Sequence, residues 1–474
     1  MMSRQPAGLW PHSPHDLRRT ELIDPGYPFA GASAWLPHGF DLVDRVLTRF
    51  SDLFRTAGYE EILLPTLVNE EILERQAESI KDFRRQLYFV GSEDSRQVVA
   101  SSIEAQVCGL FAGWVAQGRT PPYRVFCVRT VGRHETSTPR PLWKERFVWP
   151  FFEAQVAVPP GSRPGGHGGA DGFVSDLDFL VRGPQQVCLD IGLPTFAVER
   201  IYDSTAPKLY ADRRLELVTI LPNGEITILT SVYDLGVRFS DTFGVRYDGA
   251  SMPMLNFAFS ARLVLALLQH SGTVTGPRFH PDIAPIQVGV IATRSDDEDV
   301  ASGIVRDLLA HGVRACAFVT GSGVGRRCAT ARELGIPVLL QVSSAERAPL
   351  GSWVRLISGE RPREQDRPTP LGGAVALARE TLRVEASRNG AVRSAGREPS
   401  PADPPSAALM GDGDLAELVG LCHRSSCVDE TLRRARRDVI GRPYRWGVDT
   451  RRCAVCGVET EAAVMLGRKI RGEK

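Results

Sequence analysis

Residues 123–157 read YRVFCVRTVGRHETSTPRPLWKERFVWPFFEAQVA. Two runs rich in Val, Phe and Tyr flank a Pro-interrupted turn, Gly132 to Arg146, that concentrates guanidinium groups. Runs of this composition predict strands, and the polar, Pro-containing stretch between them predicts a hairpin loop. The first strand ends near Glu135 and the second begins near Phe147, so the loop edges carry Arg133 and Lys144 or Arg146. An arginine held at a strand end presents a rigid fork suited to phosphate, and a glutamate two residues later shares its face. On composition alone the same loop also reads as a solvated basic hairpin.

The surrounding sequence supplies a sheet for this hairpin to join. Upstream, GFDLVDRVLTRFSDLFRTAGY (39–59) has helical periodicity, with Gly58 as its stop signal, followed by a strand-like EEILLP closed by Pro65 and a second helical pattern, NEEILERQAESIKDF (69–83). Downstream, LELVTILPNGEITILTSVYDLG (215–236) is two strands punctuated by Pro-Asn-Gly. Residues 1–275 therefore predict a mixed α+β unit, an antiparallel sheet with flanking helices. From IAPIQVGVIAT onward the order becomes strand, helix, strand, helix, strand, which predicts a small α/β domain with a mainly parallel sheet over 276–390. The Pro- and Ser-rich stretch at 391–412 reads as a linker, and 413–474 as a small C-terminal unit.

Composition bounds the function only loosely. A chain of 474 residues with 43% hydrophobic content has material for roughly two to four domains. Lys and Arg total 57 against 56 for Asp and Glu, so a nucleic-acid partner would need a local patch instead of a global charge. The N-terminus has Pro, His and Arg where a signal peptide needs an apolar stretch, and no apolar run is long enough to span a membrane; a cytoplasmic protein is expected.

Of nine cysteines, Cys108, Cys127, Cys188 and Cys316 sit singly among apolar neighbours and read as buried reduced thiols. The last four form two short-spaced pairs, Cys422 with Cys427 and Cys453 with Cys456. Such pairs let four thiolates converge on one tetrahedral ion, which predicts structural Zn²⁺ in a module too small for its own core. His423, beside Cys422, reads as a solvated neighbour.

The order of these pieces resembles the three signature motifs of class II aminoacyl-tRNA synthetases. The similarity is strongest to the archaeal and eukaryotic type of prolyl-tRNA synthetase. The family's RxETxxxRPL loop appears as RHETSTPRPL, its anticodon-domain opening as HPDIAPIQV, and its C-terminal zinc ligands as the four cysteines above. The resemblance implies a class II catalytic domain (1–275), an anticodon-binding-like α/β domain (276–390) and a C-terminal zinc domain (413–474). It implies ATP-dependent activation of proline, or a related imino acid, and transfer to tRNA by a homodimer using ATP and Mg²⁺. Arg133 and Arg262 would be the catalytic cations. Arg133, Glu135, Lys144 and Arg262 would hold ATP. Ser102, Glu104, Arg133, Phe151, Glu153, Gln155 and Ser260 would line the amino-acid pocket.

The departures from the family concern the pocket and the anticodon domain more than the phosphate grip. Ala100 and Phe147 replace an Arg and a Glu, Gln155 and Tyr233 replace histidines, and Ala258 replaces a Gly. The family's RPGWKxxExExxGxP is GVGRRCATARELGIP here, and the chain ends IRGEK instead of in Tyr. Three functions therefore fit the sequence: a proline–tRNA ligase, a diverged paralogue passing the activated amino acid to a non-tRNA acceptor, and an idle tRNA-binding relative, against which the retained Glu104, Arg133 and Arg262 argue.

Overall fold

The computed structural model describes residues 11–469 apart from 12–13, 73–84, 86, 93–95, 136–137, 163–175, 202–209, 274, 320–322, 345–351, 358–367, 390–415, 435–437 and 445–449. The helix expected over 69–83 falls largely outside the described residues, as do the linker and the final IRGEK.

The expected hairpin is the centre of the fold. Strands Tyr123–Gly132 and Phe147–Ala157 pair antiparallel from Tyr123↔Ala157 to Gly132↔Phe147, with one irregularity between Arg129 and Val131. Beyond Phe147–Ala157 the sheet continues through Met254–Ser260, Glu225–Gly236, Arg213–Ile220 and Phe196–Glu199, all antiparallel. The 213–220 and 225–236 strands form the predicted hairpin, with Gly224 at φ 79° in its turn, a conformation that favours glycine.

Helix Pro37–Thr56 covers one face because its apolar residues recur at helical spacing: Leu42, Val43, Val46, Leu47, Phe50 and Phe54 are all buried. Pro37 opens the helix where a missing amide costs nothing. Gly39 lets the backbone of Leu22 pass so close that an added Cβ would lie 2.0 Å from its carbonyl oxygen. Helices Asp176–Asp190 and Ala261–Ser271 complete this layer. On the opposite face, helix Glu104–Ala116 packs Val107, Cys108 and Phe111 against Val125, Cys127 and Met254.

The strand expected over 60–65 is shorter than its composition implies. Only Glu60–Glu61 enters the ladder, parallel to Val125–Phe126, and Leu63 is 88% exposed. The segment is an edge, with neighbours on one side only, so nothing extends its pairing.

The α/β unit is as expected. Its sheet runs Ala315–Phe318, Val288–Ala292, Val338–Ser343, Trp353–Leu356, Thr369–Pro370; the first three strands are parallel and the rest antiparallel. Helices Glu298–Ala310, Val324–Glu333 and Ala374–Asn389 flank it.

The C-terminal unit does not stand apart from the large sheet. Ala416–Gly420, Ala463–Lys469 and Asp438–Pro443 extend the large sheet to ten strands among the described residues, through Arg442↔Glu199 and Pro443↔Val198. Tyr444 locks this seam, its hydroxyl donating to Asp178 Oδ1 at 2.9 Å.

Phe54 ties the layers together, its ring centroid 4.9–5.8 Å from those of Tyr59, Phe126, Phe152, Phe179 and Phe257. Phe54→Ala is expected to cost about 3–5 kcal/mol. Chemical denaturation followed by tryptophan fluorescence reads this as a lowered midpoint of the transition of the large domain.

Candidate active site

Alternation along Phe147–Ala157 separates core from site. Phe152, Ala154 and Val156 enter the main apolar cluster, whereas Phe151, Glu153 and Gln155 face the other way. On the neighbouring strand Ser260, Ala258 and Asn256 stand directly opposite these three and share their face. Tyr233 stands opposite Asn256 one strand further on.

The loop that closes the hairpin is tied down at both ends. Arg133 N–H donates to Arg146 C=O at 2.7 Å, and Arg140 and Lys144 exchange backbone hydrogen bonds at 2.9 and 2.8 Å. Arg146 is a structural strap: its Nη1 donates to Ala30 C=O at 3.0 Å and its Nε to Glu135 C=O at 3.2 Å. Glu145 is buried and accepts from Ser33 Oγ at 2.5 Å; burial pushes its carboxyl up to about 7 against the pull of that bond and of the Leu142 amide. The basic loop is therefore fastened to residues 30–33, while Arg133, His134, Thr138 and Arg140 stay exposed.

Arg133 points back over the sheet. Its Nε and Nη2 donate to Ser101 C=O at 3.2 and 3.1 Å, and its guanidinium lies 5.2 Å from the Phe151 ring centroid. Lys144 and Glu135, two of the expected ATP contacts, are paired with each other at 3.3 Å. Arg262 lies with its guanidinium 4.6 Å from the Trp143 ring centroid, so the loop and the helix Ala261–Ser271 meet through a cation–π contact. Ser260 caps that helix, its hydroxyl accepting from Arg262 N–H at 3.4 Å.

Behind Arg133 lie two carboxylates. Glu104, 4% exposed, opens helix Glu104–Ala116; Glu153, 1% exposed, accepts the Ile103 amide at 3.1 Å and so caps the same helix. Glu153 also accepts from Asn256 Nδ2 at 3.0 Å, and the same amide donates to Gln155 Oε1 at 3.0 Å. Burial, then the neighbouring Glu104, pushes the Glu153 carboxyl far above its ordinary range. Tyr210 donates its hydroxyl to Glu104 Oε1. Among the described residues Glu104 Oε2 and Gln155 Nε2 are buried without a hydrogen-bond partner. Ser102 is half-buried on the segment leading into the helix.

The structure thus brings Arg133, Phe151, Glu153, Gln155 and Glu104 to one face of the sheet, and joins Arg262 to the loop through Trp143. Three participants went unread in the sequence: Trp143, Tyr210 and Asn256. Asn256 had a usable signal, a polar residue at an inward position of an otherwise apolar strand. Tyr210 had none, because it precedes its strand in a stretch without periodicity. The replaced positions are occupied as follows: Ala100 is buried, Phe147 stacks on Tyr88 at 5.2 Å, and Tyr233 meets Tyr210 edge-on at 5.0 Å.

In the C-terminal unit the Sγ atoms of Cys422, Cys427, Cys453 and Cys456 all lie within 4.8 Å of one another, and Cys422 and Cys456 are 3.8 Å apart. Four thiolates about 2.3 Å from a tetrahedral ion would be separated by roughly 3.8 Å, so the cluster fits zinc. His423 is exposed and outside this cluster. Burial would raise the Cys453 thiol, but backbone amides of Cys422, Cys456 and Val455 outweigh it and hold it at about 6. By contrast Cys108, Cys127 and Cys188 are buried free thiols raised by desolvation, and Cys316 is a half-buried one, as expected of inert core cysteines.

No protein-family model matches the chain. Among curated proteins, it is 26% identical over 471 residues to the proline–tRNA ligase of Methanopyrus kandleri, covering 95% of this chain and 94% of that one. It is 27% identical to the proline–tRNA ligase of Sulfurisphaera tokodaii over 61% of this chain and 60% of that one. Among solved structures, the prolyl-tRNA synthetase of Giardia lamblia in complex with prolyl-adenylate superposes with a TM-score of 0.79 at 18% identity, covering 96% of this chain and 97% of the other. That of Cryptosporidium parvum with halofuginone and AMPPNP gives 0.75 at 15% identity, covering 96% and 94%. The chain thus has the fold of these prolyl-tRNA synthetases and a sequence similar to the proline–tRNA ligases nearly end to end.

Proposed function

We propose that the chain activates proline with ATP as prolyl-adenylate and transfers the prolyl group to tRNA. The observation that carries this reading is the juxtaposition of the tethered Arg133 fork with the buried Glu104–Glu153 pair. A cation beside two carboxylates complements a zwitterion that must present its carboxylate to a phosphate. The names of the relatives favour tRNA as acceptor over a small molecule or carrier.

In this reading the proline carboxylate attacks the α-phosphorus in line; a carboxylate–phosphorus bond forms as the bond to pyrophosphate breaks. The nucleophile is already ionised, so no general base is needed, and the demand is alignment and charge neutralisation. Arg133 bridges the α-phosphate and the carboxylate, and Arg262 serves the other end of the triphosphate. Lys144 and Glu135 exchange their mutual ion pair for phosphate and adenine. Ser102 and Glu104 receive the secondary ammonium; Phe151, Glu153, Gln155 and Ser260 line the ring. Mg²⁺ bound to the phosphates would neutralise charge. The four cysteines hold structural zinc. A cytoplasmic homodimer completes the proposal; among the described residues no helix is long and apolar enough to cross a membrane.

Exchange of labelled pyrophosphate into ATP tests the first half-reaction. L-proline is expected to support it, and Arg133→Ala to slow it by about 10²–10³-fold; failure of every amino acid in a panel would overturn the reading. Charging of total tRNA then separates a tRNA acceptor from another. For the metal, elemental analysis is expected to find one zinc per chain and a reduced content in Cys453→Ser. Equal zinc in the two proteins would dismiss the site.

A further inference from the structure

The Glu104–Glu153 pair is two carboxylates buried together, with cations near it but none in direct contact. No ion pair reaches either side chain among the described residues. The nearby cations act on Glu153 only through space: Arg133 places its N–H groups on Ser101 C=O, and Arg129 donates to Gln106 Oε1 and Pro65 C=O, each at 2.9 Å. The other titratable groups around the pair are Cys108 on the helix of Glu104, Cys127 on the strand beside Glu153, Tyr210, and Tyr233 across the sheet. Thiols and phenols carry no positive charge in either protonation state, so none of the four supplies any. Two ionised carboxylates buried together at this cost would repel each other, and one proton between them relieves it.

The geometry around Glu104 is asymmetric. Oε1 is occupied by the Tyr210 hydroxyl, and Oε2 is buried with no hydrogen-bond partner among the described residues. Tyr210 is itself fixed by rings on two sides, edge-on to Tyr233 at 5.0 Å and to Phe239 at 5.6 Å. Burial and the adjacent Glu104 raise its hydroxyl well above the ordinary tyrosine range, so it remains a donor.

We infer that Tyr210 is a positioning residue of the amino-acid site: it holds Glu104 through Oε1 so that Oε2 receives the substrate's secondary ammonium. The pair holds one proton, on the Glu153 carboxyl that burial raises, until that ammonium arrives. This rests on the proposed function, since it takes the pair as the ammonium receptor. The charge balances. The empty pair carries one proton and one negative charge; the occupied pair carries two negative charges against the ligand's NH₂⁺, and one proton leaves to solvent. A ligand without a cationic amine cannot drive that release, which makes the pocket selective for amines at their ammonium stage.

The test is calorimetry of L-proline binding in buffers of differing ionisation heat, which counts protons without turnover. Wild type is expected to release close to one proton per proline, with affinity falling as the pH is lowered. Tyr210→Phe keeps the ring and loses the donor. It is expected to weaken proline binding by about tenfold and leave ATP binding within about twofold. The acid limb of proline binding should move to higher pH, because losing a donor to a carboxylate favours its protonated form. Glu104→Gln gives a second reading, expected to abolish the release while the chain still binds ATP. A Tyr210→Phe profile superimposable on wild type, or release that persists in Glu104→Gln, overturns the inference. Wild type that binds proline with release but supports no pyrophosphate exchange sinks the proposed function alone; wild type that binds no proline overturns both.

Discussion

The period-two alternation of Phe147–Ala157 is the constraint on which both the core and the proposed site depend. Phe152 stacks between Phe126 and Phe259, at 5.2 and 5.0 Å, on one side of the sheet, while Glu153 meets Asn256 and the Ile103 amide on the other. A slip of one residue would drive a carboxylate into an aromatic core and turn Phe152 into the pocket. Burial of rings on one face therefore fixes the register that aims Phe151, Glu153 and Gln155 on the other. The flanking helices act in the same direction: Pro37–Thr56 seals the apolar face, and Glu104–Ala116 brings its N-terminus down onto the polar one. Packing energy spent on the core thus also positions charge.

What the sequence disclosed follows from that division. Strand alternation, the Pro-Asn-Gly turn and the helix ending at Gly58 are local patterns, and each is present in the structure. The α/β order and the paired cysteines were legible for the same reason, since their signals lie within short windows. What escaped depends on distant partners. Arg146 and Lys144 are both basic and two residues apart, yet one straps the loop to residues 30–33 and the other pairs with Glu135. Nothing in the loop tells them apart, because the Ala30 carbonyl that Arg146 binds lies more than a hundred residues away in the chain. Tyr210 and Trp143 are likewise aromatic residues whose roles are set by what they meet. Composition overstated the strand at 60–65 because apolar residues mark burial on one side and say nothing of whether a ladder partner exists on the other.

The C-terminal unit illustrates the same dependence at a larger scale. Its cysteines are readable as a self-contained knuckle, but its strands continue the catalytic sheet, with Arg442 at the junction. The Arg442 guanidinium donates to Leu421 C=O and Cys422 C=O at 3.0 and 3.1 Å, and its backbone pairs with Glu199. Glu199 in turn accepts both arms of Arg213, at 2.8 and 3.0 Å. The cysteine cluster is thereby fastened to the edge of the sheet that carries the proposed site. An edge strand left open would invite pairing with another chain, and this unit covers it.

The same economy of charge explains why substitutions near the pocket have not dissolved it. Ala100, Phe147 and Tyr233 stand where the related family carries ionisable or polar groups, and each is accommodated by burial or ring stacking without leaving a charge exposed to the sheet. Two groups of the proposed site are fixed by backbone: Arg133 by the Ser101 carbonyl, Glu153 by the Ile103 amide. Backbone partners cannot be removed by a side-chain replacement. A site whose essential charges are oriented by main-chain groups can therefore vary its side-chain lining while its electrostatic pattern persists, and this is the pattern of difference that the sequence displays.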